Sequence, residues 1–249
     1  MPVFRAAQIM RIAVLAVAAF MIFHSLDVPS LWLDEAASPL NARYPVDYLI
    51  TLSRTLEEHP PLFYLLLKVF LAFGHDDFTV RLLPALCGLG CVGLTAAVGS
   101  RLFSPAAGTA AAAIWLAMPQ NLLLSRMARP YSLWLLFYLC ALYCLAGWLR
   151  RGDWRSMAGL IAAAGLMVAS HYLSFPLLAA MGLCLLAVAP AGRPGWSGRL
   201  TAAGLFGTGC LVIAAAAYFT LIAQSQTPQL IANADETVAD AARALWEAV

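Results

Sequence analysis

Residues 31–62 read LWLDEAASPLNARYPVDYLITLSRTLEEHPPL, and the placement of this stretch decides how the rest of the chain is arranged. It is the only long segment between the first and last apolar runs where acids, histidine, arginine and proline gather. Asp34 and Glu35 stand just past the first apolar run, and His59-Pro60-Pro61 stands just before the next. Elsewhere the chain is overwhelmingly apolar: 62% of its 249 residues are hydrophobic, 11% are charged, and mean hydropathy is +0.80. Soluble domains carry roughly a quarter charged residues, so the composition specifies an all-α, polytopic membrane bundle. The net charge is only +2, and the basic residues are spread between apolar runs rather than interleaved with aromatics. That pattern excludes nucleic acid as a partner.

Working outward toward the N-terminus, Arg5 and Arg11 precede an apolar run from Ile12 to about Leu26. A basic start and an apolar middle also describe a signal peptide, but His24 to Pro29 offers no small-x-small cleavage site. The run is therefore expected to be an uncleaved anchor helix with its N-terminus in the cytoplasm. Inside the quoted stretch, Asp34 is expected to cap a short helix running through Asn41. Leu49, Leu52 and Leu56 at helical spacing, with the charged Asp47 and Arg54 in the same stretch, predict an amphipathic helix over Val46–Leu56 lying along the interface. The run Leu62–Phe73 is about a dozen residues long and carries Lys68, whereas a span needs roughly 20. It is read as interfacial or re-entrant, which closes an outer loop over residues 29–77.

With that run outside the membrane core, the later spans fall at about 78–100, 105–124, 130–149, 156–171, 173–190 and 200–223, making about seven in all. Arg101, the cluster Arg150-Arg151-Arg155, and Arg193 with Arg199 then share a side with Arg5 and Arg11. This is the positive-inside pattern of a cytoplasmic (inner) membrane protein. It makes residues 1–223 one membrane module and 224–249 a short extracytoplasmic tail. The span centres carry no acidic or basic residue, although ion and proton pathways accept the cost of about 3 kcal/mol that a central charge brings. A transporter or flippase is disfavoured on that ground. The six cysteines, at 87, 91, 140, 144, 184 and 210, all lie in apolar runs and read as small hydrophobes rather than metal ligands.

Several short pieces then come together: Asp34-Glu35, His59-Pro60-Pro61-Leu62 with Tyr64, Phe78 to Pro84 (FTVRLLP), Ala128-Arg129-Pro130-Tyr131 and His171-Tyr172. Arg101-Leu102-Phe103 ahead of the third span is a further match. In this order, with the polar pieces facing outward, they resemble the N-terminal membrane module of a GT-C glycosyltransferase. The type is that of the protein mannosyltransferases and aminoarabinose transferases. The resemblance implies a sugar carried on a polyprenyl phosphate in the outer leaflet and passed, with inversion, to an extracytoplasmic acceptor. The acceptor class stays open between protein, lipid and polysaccharide.

On that reading Asp34 is the general base that takes the acceptor proton, with Glu35 second. Arg129, Arg81 and Arg126 supply positive charge to the leaving phosphate. His59, Tyr131 and His171 orient the substrates. The bland alternatives are acids favoured at a helix N-terminus, arginines anchored to headgroups, and an interfacial aromatic belt. Related enzymes often carry another acid in the second outer loop, where this chain has Ser125-Arg126-Met127-Ala128-Arg129. No metal ligand set and no cofactor are therefore expected, and a divalent cation lacks support. Relatives are also longer, so the C-terminal part of the family is expected to be missing. A non-catalytic membrane subunit that binds polyprenyl-phosphate lipids or a partner chain is the competing class.

Overall fold

The computed structural model describes residues 2–49, 59–188 and 195–224, with side chains described from 7 to 213 within those ranges. Most of the amphipathic helix expected over Val46–Leu56, together with Arg193 and the tail after Gln224, lies outside the described residues. The chain divides into two units, Met1–Cys210 and Leu211–Val249. Of the second unit, only the helical stretch 211–224 is described.

A backbone in hydrocarbon must satisfy its hydrogen bonds internally, and every regular element among the described residues is an α-helix. In order these are α1 (Pro2–Phe23), α2 (Leu33–Arg43), α3 (Leu62–Leu71), α4 (Asp77–Leu102), α5 (Pro105–Ala117), α6 (Pro119–Arg126), α7 (Tyr131–Arg151), α8 (Trp154–Ser170), α9 (Ser174–Ala187) and α10 (Trp196–Gln224). Their outward faces are apolar, as the exposure of Ile12, Phe20, Ile114 and Leu183 shows. A surface of that kind suits lipid rather than water.

Helices α4 and α7 are long and apolar enough to cross a bilayer. At 1.5 Å per residue they are about 39 and 31 Å long, against a hydrocarbon core of about 30 Å. The span expected over 105–124 is instead broken: α5 and α6 meet at an angle of 72°. Pro119 has no N–H to continue the ladder and forces Met118 into an extended conformation (φ −81°, ψ 114°). Asn121 repairs the break, its side chain donating to the Trp115 carbonyl at 3.0 Å. Among the described residues, two helices are long and apolar enough to cross, three if the bent pair counts as one span, with shorter apolar stretches around them.

Helix α4 is the hub, in contact with α1, α3, α5, α6 and α7. Its start is capped by Asp76, which accepts from the Thr79 N–H at 2.7 Å. The largest apolar cluster joins α7, α8, α9 and the start of α10 through Leu145, Leu160, Met167, Leu185 and Phe206. A second cluster seats α3 against α4 through Phe63, Leu67, Val80 and Leu83. Helix α3, about 15 Å long, is too short to cross the hydrocarbon core. Its Lys68 does not face lipid, because Nζ donates to the last carbonyls of α2, at Ala42 (3.3 Å), Arg43 (3.3 Å) and Tyr44 (2.8 Å). A cation at a helix C-terminus is the favoured arrangement. Helix α2 departs from expectation at both ends: Trp32 is its N-cap and it runs to Arg43, so Asp34 stands in the first turn rather than capping it.

Candidate active site

The start of α4, the start of α7, the end of α8 and the end of α6 meet at one end of the bundle, and the first loop comes down on them. The anchor is an ion pair between Glu35 on α2 and Arg81 on α4, each about 97% buried. Glu35 Oε1 accepts from Arg81 Nε at 3.1 Å and from the Ala128 N–H at 2.8 Å. Its Oε2 accepts from Arg81 Nη2 at 2.9 Å and from the Trp32 N–H at 3.2 Å. The remaining Arg81 hydrogens go to the carbonyls of Leu26 (2.9 Å), Pro29 (2.6 Å) and Ser30 (3.2 Å).

All five N–H groups of Arg81 are thus consumed within the protein, and each Glu35 oxygen already accepts two hydrogen bonds. In this geometry the phosphate contact expected of Arg81 has no donor left, and Glu35 has no room to accept a substrate proton. Burial pushes the Glu35 carboxyl up, but the bonds from Arg81, Ala128 and Trp32 outweigh it and hold the group below its ordinary value. It is an ionised clamp that fixes residues 26–35 and 128 to α4.

Asp34, its neighbour, behaves differently. Its side chain is exposed at the first turn of α2. Its backbone carbonyl accepts from Arg129 Nη1 at 3.3 Å, so Arg129 lies beside it. The other arm of that guanidinium, Nη2, lies 3.0 Å from His59 Nε2. An arginine can only donate, so His59 Nε2 accepts and the ring is neutral with its proton on Nδ1. Two of the five Arg129 N–H groups are used in these contacts among the described residues.

The histidine leads into an aromatic cluster. The His59 ring lies 4.7 Å from the His171 ring and 5.8 Å from the Tyr131 ring, and Tyr131 lies 5.6 Å from His171. His171 caps the end of α8, and its Nδ1 accepts from the Leu173 N–H at 3.1 Å, which leaves the proton on Nε2. Burial, and then the positive charge of Arg129, hold the His171 pKa below the usual value. Trp134, one turn beyond Tyr131 on α7, lies 5.6 Å from His171 with its ring tilted by 46° and donates to Ser174 Oγ at 3.0 Å. Sequence reasoning missed Trp134, although its three-residue offset from Tyr131 puts both on one helix face.

Arg126 stands apart from this cluster. It donates to the Met21 (3.1 Å) and Ser25 (2.8 Å) carbonyls at the end of α1. It also helps line an apolar cavity of about 280 Å3 with Trp32, Glu35, Arg81, Leu122 and Leu123. What brings it there is the bend at Met118-Pro119, followed by a close passage of α6 over α4. A side-chain carbon on Gly88 would collide with Ser125. The structure therefore brings Asp34, His59, Arg129, Tyr131 and His171 to one end of the bundle and pairs Glu35 with Arg81. Among the described residues no three His, Cys, Asp or Glu side chains are grouped to hold a metal ion.

No curated protein matches the chain. One family model does, over residues 58–219: that of the dolichyl-phosphate-mannose-protein mannosyltransferases. The match takes in His59, Arg81, Arg126, Arg129, Tyr131 and His171, and begins after Asp34 and Glu35. It covers well over half of the chain, and with it the helical framework that holds the cationic and aromatic side of the site. The chain belongs to the dolichyl-phosphate-mannose-protein mannosyltransferase family and is a membrane glycosyltransferase of the GT-C type.

Proposed function

We propose that this chain transfers a sugar from a polyprenyl-phosphate donor to an acceptor hydroxyl on the extracytoplasmic face, with Asp34 as general base. The acceptor oxygen attacks the anomeric carbon as its proton passes to the Asp34 carboxylate, and the bond from that carbon to the phosphate oxygen breaks. Charge builds on the departing phosphate, and the Arg129 guanidinium, with N–H groups to spare, stabilises it. His59 accepts from Arg129 and steers it. Tyr131 and His171 provide the wall against which the sugar is oriented. Glu35 and Arg81 are positioning residues that hold Asp34 against Arg129.

The observation that carries this reading is the 3.3 Å contact between Arg129 and the Asp34 carbonyl. It seats a partly committed guanidinium against the backbone of the residue that carries an exposed carboxylate, at a helix-end surface where a sugar–phosphate linkage could lie between the two. The test is transfer by the purified chain in lipid nanodiscs, with polyprenyl-phosphate mannose as donor and a serine-containing peptide as acceptor. Asp34→Asn is expected to lower the rate by about 10²–10⁴, the usual worth of a general base. Arg129→Gln is expected to cost about 10²–10³. An Asp34→Asn protein that turns over at the parent rate would remove Asp34 from the mechanism. Tight binding of polyprenyl phosphate without any turnover would favour the non-catalytic subunit.

A further inference from the structure

At the opposite ends of α4 and α7 a second cavity, of about 590 Å3, is lined by Arg101, Arg151 and Arg155 together with Tyr143, Asp153 and Trp154. Two of these arginines are held in place. Arg101 Nη1 donates to the Tyr143 carbonyl at 2.8 Å, and the guanidinium lies 3.8 Å over the Tyr143 ring. Arg151 donates from Nε to Asp153 Oδ2 at 2.8 Å and from Nη2 to Ser156 Oγ at 3.0 Å. Both charges converge on the bare backbone of Gly147. A side-chain carbon there would stand 2.8 Å from Arg101 Nη1 and 3.2 Å from Arg151 Nη2.

Two guanidinium groups so close repel each other unless an anion lies between them. The single carboxylate facing the cavity is that of Asp153, and it is already engaged. It caps α8 by accepting from the Ser156 N–H at 2.9 Å and also takes Ser156 Oγ at 2.9 Å. The Ser156 N–H first, and then Arg151, hold its pKa down at about 2, so its charge is always present. Three cations face one anion, and the cavity carries a surplus of two positive charges.

The location narrows the ligand. Helices α4 and α7 are each long and apolar enough to cross a bilayer, which puts their ends at headgroup depth. Trp154 beside the cavity is 73% exposed, as an interfacial tryptophan is. Basic pockets between membrane helices select anionic headgroups, and forked guanidinium pairs suit phosphate oxygens. We infer that this cavity is a binding site for a phosphomonoester dianion, separated from the transfer site by the length of the bundle. The chemistry is shared by a lipid headgroup such as phosphatidic acid and by a soluble phosphate.

The experiment uses the full chain in phosphatidylcholine nanodiscs, with native mass spectrometry and thermal shift as readouts and sugar transfer not involved. Short-chain phosphatidic acid is expected to bind at least tenfold more tightly than phosphatidylcholine of the same chain length. Arg101→Gln and Arg151→Gln are each expected to weaken it tenfold or more. Arg155 is exposed, so Arg155→Gln leaves the fold intact and is expected to weaken binding about threefold, which keeps the test decisive should either of the other two variants fail to fold. Inorganic phosphate binding with the same sensitivity to Arg155→Gln would assign the site to a soluble anion. Phosphatidic acid binding alone assigns it to a lipid. The inference is overturned if neither ligand binds better than phosphatidylcholine, or if binding is unchanged by all three substitutions.

Discussion

Glu35 and Asp34 are adjacent, yet their surroundings differ: one is locked in a buried ion pair and the other faces solvent. Glu35 accepts four hydrogen bonds in a buried site, whereas Asp34 is exposed at the first turn of α2. Both the Glu35 carboxyl and the His171 imidazole have pKa values below their ordinary 4.5 and 6.5. A group that holds its proton more weakly in the folded state stabilises the fold above its unfolded pKa and loses that contribution as pH falls through the folded value. Stability is therefore expected to decline on acidification in two windows, one opening below 6.5 for His171 and one below 4.5 for Glu35. Thermal unfolding in detergent between about pH 7.5 and 4 measures this. Glu35→Gln should start about 3–5 kcal/mol less stable, since it leaves Arg81 buried without its partner, and should lack the lower window. A featureless decline that is identical in that variant would show Glu35 to be unimportant to acid sensitivity.

At the scale of elements, the site is assembled by close helix crossings, which small residues permit. The α4–α5 hairpin is the tightest of them. A carbon added to Gly99 would stand 2.8 Å from the Gly108 Cα, and one added to Gly108 would run into the Ala96 carbonyl and Ser100 Oγ. Ser100 also accepts from Arg11 Nη2 at 2.6 Å, so this crossing fixes α1 as well. Gly108→Ala is expected to lower stability by about 1–3 kcal/mol, the usual cost of overpacking. Gly204→Ala in α10, where nothing stands within 4 Å of the added carbon, should be neutral or stabilising by up to about 1 kcal/mol. Melting temperatures of the two variants against the parent decide it, and equal effects would mean that the crossing is not the constraint.

At the scale of the molecule, the first unit is polarised along its long helices. Arg11, Arg101, Arg151 and Arg155 gather at one end, and Asp34, His59, Arg129 and His171 at the other. On the positive-inside rule we propose that the end holding Arg11, Arg101, Arg151 and Arg155 faces the cytoplasm and the other end faces outward. In a background without the six native cysteines, His75→Cys and Arg155→Cys report on the two ends. A membrane-impermeant maleimide applied to intact cells is expected to label position 75 and to spare position 155 until the membrane is opened. Labelling of both from the same side would break the proposed topology and the transfer reading with it.

The sequence by itself determined the class, the helices around 78–100 and 130–149, and the gathering of Arg129, Tyr131 and His171 at one surface. Hydrocarbon thickness fixes where an apolar run must end, and these residues stand at such ends. The break at Met118-Pro119 was also written in the chain, but hydropathy alone runs straight through it. Only the tertiary structure decided that Glu35 and Arg81, 46 positions apart, lock together in a buried ion pair, and that Arg126 turns to the end of α1. Only it brought Trp134 to His171 and two arginines to Gly147. Such pairings depend on how each helix is rotated about its axis and how closely its neighbour approaches, and apolar residues on every face leave that rotation unmarked in the sequence.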